Sequence, residues 1–148
     1  MESIMIQKNT IIVHTVDMTR SWNTDKIVKY IFAGHAVFAV NDVIYKVTFR
    51  KDVWSPVYTL DEDTPTWIPM GWISPRLLCI TFVNHNQVTS SKQKLLKEFM
   101  WWLKNHGLLP NYYKFQISRF CARCGTPLKS KISLECGYGR ECIKEVNK

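Results

Sequence analysis

The chain has 148 residues, 46% of them hydrophobic and 13% aromatic. That is enough for one packed core, and it excludes a disordered chain. No apolar run approaches the ~20 residues a membrane helix needs, and the N-terminal MESIMIQKNT lacks the basic-then-apolar pattern of a secretion signal, so a cytoplasmic protein is expected. The formal charge of +8 is unevenly placed: residues 1–85 carry eight basic and eight acidic side chains, and residues 86–148 carry twelve and four. Such an asymmetry points to a polyanion or an acidic protein surface as partner.

In chain order, Ile11 to Val16 is β-branched and apolar and predicts a strand. Asn23-Thr-Asp caps a helix running to about Ala33, with Ile27, Tyr30 and Ile31 at helical spacing and Gly34 as its stop. Ala36–Val40, the Asn41-Asp42 turn and Val43–Arg50 read as a hairpin. Val53–Leu60 reads as a further strand, with Pro56 marking an edge or a bulge. Trp67–Ile73 and Leu77–Val83 follow, the latter burying Cys79 as a core residue. Ser90–His106 is the strongest helix, its apolar stripe formed by Leu95, Phe99 and Trp102 with Leu96 and Leu103 beside it. The adjacent Trp101 and Trp102 cannot face the same way, so one of them is exposed or at an interface. Tyr112–Ile117 reads as one more strand. The fold class is therefore α+β: a small antiparallel meander packed by one or two helices, with a C-terminal zinc-ribbon or knuckle. The division falls into a body, residues 1–117, and a knuckle, residues 118–148.

The knuckle is read from the cysteines. Four of the five cysteines follow C-x2-C-x11-C-x5-C as Cys121, Cys124, Cys136 and Cys142. Clustered thiols in a reducing compartment bind metal more often than they pair. A C-x-x-C-G turn brings two thiolates to one ion, and Gly125 permits the left-handed turn behind them. Gly137 and Gly139 would bend the second half so that Cys136 and Cys142 face the same ion. Four thiolates define a closed, structural Zn²⁺ site, one per chain. The segment holds few large apolar residues and would need that staple.

The stretch from Phe120 to Cys142 resembles a small cysteine domain of bacteriophage and prophage proteins, patterned C-x-x-C-G-R-x-L, a polar turn, S-I, then G-[IFY]-G-P-x-C. Cys121, Cys124, Gly125, Leu128, Gly137, Tyr138, Gly139 and Cys142 fall on it. Upstream, Ala33-Gly-His-Ala-Val-Phe, Tyr45-Lys-Val and Trp67-Ile-Pro-Met-Gly-Trp-Ile are similar to segments that accompany this domain. The resemblance implies phage origin and a zinc-ribbon-like knuckle, and no defined activity. Thr126 and Arg140 depart from the pattern, as does Cys136, which is either a ligand special to this chain or a bystander. His106 and Cys79 are the reserve ligands.

Nothing in the sequence announces an enzyme. There is no P-loop, dinucleotide fingerprint or nucleophile elbow, and Asp61-Glu62-Asp63 reads as a solvated turn. His14, His35, His85 and His106 lack metal-ligand spacing among themselves, and His14 and His35, in or beside apolar strands, read as structural. Neither a small-molecule substrate nor a membrane is implied. Two binding functions fit. The first is nucleic-acid binding through Arg119, Arg123, Lys129, Lys131, Arg140 and Lys144, with Lys97 and Lys104 on the long helix and Tyr138 as an aromatic to stack on bases. The second is a phage-encoded inhibitor or modulator of a host protein with an acidic surface, for example a defence nuclease complex.

Overall fold

The computed structural model describes residues 11–12, 17–51, 53–61, 63–64, 66–83, 90–105 and 109–147. The strand expected over Ile11–Val16 and the histidines His14, His85 and His106 lie wholly or mostly outside them. The fold is α+β, built on a six-stranded antiparallel sheet. After a 3-10 turn at Met18–Arg20 come α1 (Thr24–Ile31), β1 (His35–Val40), β2 (Val43–Thr48), β3 (Ser55–Asp61), β4 (Thr66–Ile73), β5 (Ile80–Phe82), α2 (Ser90–Asn105), β6 (Phe115–Ile117), α3 (Lys131–Cys136) and α4 (Arg140–Val146). The sheet order is β5-β4-β3-β2-β1-β6. The first five strands thus form the expected meander, and β6 returns to pair antiparallel with β1, Phe38 facing Ile117.

Local chemistry explains most boundaries. The Asn23 side chain accepts the Lys26 N–H at 2.9 Å and starts α1, which buries Ile27, Tyr30 and Ile31. Asn41 and Asp42 both take positive φ, 48° and 70°, the conformation a two-residue hairpin turn demands and one these residue types tolerate. Pro56 marks an irregularity rather than an edge: β3 is an interior strand, its register shifts between Val57 and Tyr58, and Pro56 pairs with Trp72 of β4 beyond the stretch paired to β2.

β1 is buried on both faces. Ala36, Phe38 and Val40 join the large core with α1 and α2, while Val37 and Ala39 join a smaller one with Ile12, Ile44 and Leu60. The large core is aromatic: Phe99 stacks on Phe115 at 5.8 Å, and Tyr30 meets Phe115 edge-on at 6.0 Å. The start of α2 is fixed to the sheet by the Tyr45 hydroxyl, which donates to the Lys92 carbonyl at 2.6 Å.

Three expectations need correction. The buried stripe of α2 is Leu96, Phe99, Met100 and Leu103, so Leu95 and Trp102 flank it rather than lead it. The tryptophan pair behaves as expected, with Trp101 its exposed member. Cys79 is exposed, not a core residue. Pro75–Leu77 form a turn, Leu78 takes φ 57° and bonds back to the Ser74 carbonyl at 2.8 Å, and the strand begins only at Ile80. Finally, the chain after Thr126 carries two short helices, α3 and α4, where a second glycine-rich metal turn was expected.

Candidate metal centre

The C-terminal segment begins as a continuation of the sheet. Ser118 bridges to Ile12, and Phe120 bridges to Pro127, closing a tight loop over residues 120–127. Within it the Cys121 N–H donates to the Thr126 carbonyl at 2.8 Å, and the Gly125 N–H donates to the Cys121 carbonyl at 2.8 Å. Gly125 takes φ 81°, so the loop has the turn its C-x-x-C-G sequence requires. The Cys124 N–H points at the Cys121 Sγ, 3.5 Å away.

The rest of the segment brings a third sulfur. Ser130 caps α3 by accepting the Ser133 N–H at 3.1 Å, and Gly137 ends it with φ 84° and an N–H to the Ser133 carbonyl. The glycine read as a metal turn is thus a left-handed helix cap. α4 then carries Cys142 back to the loop. The Sγ atoms of Cys121, Cys124 and Cys142 all lie within 4.8 Å of one another, and these three residues could hold a metal ion. A tetrahedral ion with bonds of about 2.3 Å sets sulfurs about 3.8 Å apart, so the three fit such an ion with small adjustments.

Electrostatics act in opposite directions on two of the three thiols. The Thr126 hydroxyl, 3.1 Å from the Cys124 Sγ, brings that thiol down to about 7. Burial pushes the Cys142 thiol up, and the Arg123 guanidinium, 3.6 Å from its sulfur, opposes this.

Cys136 stands outside the group. It ends α3, its thiol points to the Ser133 and Tyr138 carbonyls at 3.7 and 3.6 Å, and it lines a groove with Asn23, Asp25, Lys26 and Lys29 of the α1 region. Exposed Cys79 is not in the group either, and His106 lies outside the described residues.

The C-terminal segment is docked firmly on the start of β1 and on α1. Gly34 takes φ 146°, and a Cβ there would run into the Arg123 carbonyl. The His35 N–H donates to the Ala122 carbonyl at 2.6 Å, and the Ala122 N–H donates to the Gly137 carbonyl at 3.0 Å. The buried Tyr30 hydroxyl donates to the Val37 carbonyl at 3.0 Å and accepts the Ser118 N–H at 3.2 Å. Cys121, Ala122, Leu128, Tyr138 and Cys142 belong to the same buried cluster as the sheet and α1, so the boundary at residues 117/118 is not a boundary between cores.

Of the residues expected at a partner surface, Arg119, Arg123, Lys129, Lys131, Arg140 and Lys144 are exposed around the knuckle, and Lys97 and Lys104 are exposed on α2. Lys144 pairs with Glu141 at 3.5 Å. Tyr138 is a core residue, 4% exposed and edge-on to Tyr30 at 5.9 Å, so its ring is not presented for stacking. Tyr113 and Phe115 are buried as well, while Tyr112 is exposed. Sequence reasoning missed the roles of Gly34, His35 and Thr126 beside the thiols. Their only signals were the departure of Thr126 from the cysteine pattern the segment resembles and the place of Gly34 and His35 in the Ala33-Gly-His-Ala-Val-Phe stretch. Among the described residues no helix is long and apolar enough to cross a membrane. No protein-family model, curated protein or solved structure matches the chain.

Proposed function

We propose that this chain is a non-enzymatic binding protein of phage type, whose C-terminal knuckle is stabilised by one structural Zn²⁺ and offers its cations to nucleic acid. The observation that carries this reading is the shell of exposed Arg119, Arg123, Lys129, Lys131, Arg140 and Lys144 around three converging thiols, in the part of the chain that holds all the excess positive charge. A sulfur-rich, tetrahedral site suits zinc. In this reading the knuckle is a zinc-ribbon variant in which α3 and α4 stand where the second glycine-rich metal turn was expected. It works in the host cytoplasm and requires no small-molecule substrate. With Tyr138, Tyr113 and Phe115 buried, recognition runs through phosphates rather than stacked bases.

Anisotropy titration of the full chain with random single-stranded DNA and RNA tests it. Binding below about 10 µM at low salt is expected, weakening by orders of magnitude between 50 and 200 mM salt. Lys129→Glu with Lys131→Glu should weaken both nucleic acids alike. Failure to bind either at low salt contradicts the proposal.

A second reading is favoured by a different surface. Val53, Trp54, Trp72 and Leu77 are large apolar side chains, each more than 40% exposed, near the β5 edge of the sheet. An apolar patch with tryptophans suits a protein partner, as a host-protein inhibitor would need. Loss of a co-purifying host protein on Trp72→Ala would support this reading, and retention of that protein would contradict it.

A further inference from the structure

A closed structural zinc site has four ligands, and three are gathered by Cys121, Cys124 and Cys142. Cys136 is occupied elsewhere, its thiol directed at the backbone carbonyls of Ser133 and Tyr138. The body supplies another donor. His35 is the first residue of β1, and its backbone N–H is bonded to the Ala122 carbonyl inside the C-x-x-C loop. Its side chain lies against Gly125, the residue following the second cysteine. A Cβ on Gly125 would sit 3.5 Å from the His35 Cβ, 3.7 Å from Cγ and 4.0 Å from Cδ2. His35 is the one exposed residue of β1; its ring nitrogens do not join the three sulfurs as placed, so ligation calls for a rotation about χ1 and χ2.

We propose that His35 supplies the fourth ligand and that the site is Cys3His, joining the body to the knuckle through one ion. The proposal rests on the metal reading above and deepens it. Neutral imidazole is a regular partner of three thiolates on zinc. The neighbouring Gly34, whose missing side chain lets the backbone approach the Arg123 carbonyl, holds the start of β1 where such a ligand is needed. The site would carry a net charge of −1, against −2 with four thiolates, leaving the surrounding cations less neutralised. It also gives histidine at this position a role beyond strand packing.

The test uses Co²⁺ as a spectroscopic replacement in the full-length chain, with affinities measured by chelator competition. Four proteins are compared: the parent, Cys136→Ser, His35→Ala and His35→Cys. One Co²⁺ per chain with intense tetrahedral d–d bands is expected for the parent. Cys136→Ser should keep those bands and an affinity within about threefold of the parent. His35→Ala should weaken binding at least tenfold and shift the bands, with the sheet intact by circular dichroism because the side chain is exposed. His35→Cys should recover tight binding with red-shifted bands and stronger thiolate charge transfer. Loss of the parent spectrum in Cys136→Ser with no change in His35→Ala would overturn the assignment in favour of Cys136. No change in either would overturn it in favour of a solvent ligand. A parent chain that binds no Co²⁺ would overturn the metal reading itself, and the assignment with it.

Discussion

Residues 35–73 and residues 118–147 lie against each other, yet they bury very different things. The strands β1 to β4 bury Phe38, Tyr45, Val47, Val57, Leu60, Met70 and Ile73, tied by antiparallel ladder pairing with one register shift in β3. The C-terminal segment contributes Cys121, Ala122, Leu128, Tyr138 and Cys142, and α3 buries no residue at all. A meander with two helices on one face has an apolar core of its own. A segment of about 30 residues with so few large side chains needs a staple or a host surface. This one has a host surface in Gly34, His35 and Tyr30, and three thiols positioned for a staple. The difference separates what depends on burial from what depends on metal and docking, and each can be broken on its own.

The largest effect should come from Cys124→Ser, which alters an exposed thiol without opening the core. Metal affinity should fall about a thousandfold or more. Amide exchange, followed by NMR, should lose protection at Cys121, Gly125 and Leu128 while Phe38, Tyr45 and Val47 stay protected.

Gly34→Ala attacks the docking instead. Both the left-handed backbone and the Arg123 carbonyl oppose a Cβ there, at a cost of about 2 kcal/mol or more. Denaturant unfolding should show the loss, with the exchange of residues 119–125 affected first.

Tyr30→Phe removes one hydroxyl that joins β1 to the strand leading into the knuckle, leaving the Val37 carbonyl and Ser118 N–H unpaired. Chemical denaturation should report a loss of about 1–3 kcal/mol. The same phenol produces an effect of pH that appears only in alkali. Burial pushes the Tyr30 phenol up to about 12, whereas the unfolded chain titrates near 10. The unfolded state therefore releases its proton first, and stability falls between pH 10 and 12 by about 1.4 kcal/mol per pH unit from this group. Tyr30→Phe should flatten that part of the pH–stability curve, whereas an unchanged slope would show that Tyr30 does not contribute.

Much of the sheet was legible because its signals are local. The Asn41-Asp42 turn, the Asn23 cap and the Ile27, Tyr30 and Ile31 stripe each depend on a few neighbouring residues, and the structure keeps all three. Errors arose where one pattern serves two purposes. Leu77-Leu-Cys-Ile reads as strand, but Leu78 adopts a left-handed conformation and holds Cys79 outside the core. Gly137 reads equally as a metal turn and as a helix cap, and the cap turns the Cys136 thiol away from the other three. The C-x-x-C-G turn was legible because its geometry closes within five residues. The approach of Gly34 and His35 to that turn was not, since a contact across some 90 residues leaves no local periodicity.

The most direct test of the account is the metal content of the full chain purified without chelator. One zinc per folded chain is predicted. A folded chain with protected C-terminal amides and no bound metal would contradict it.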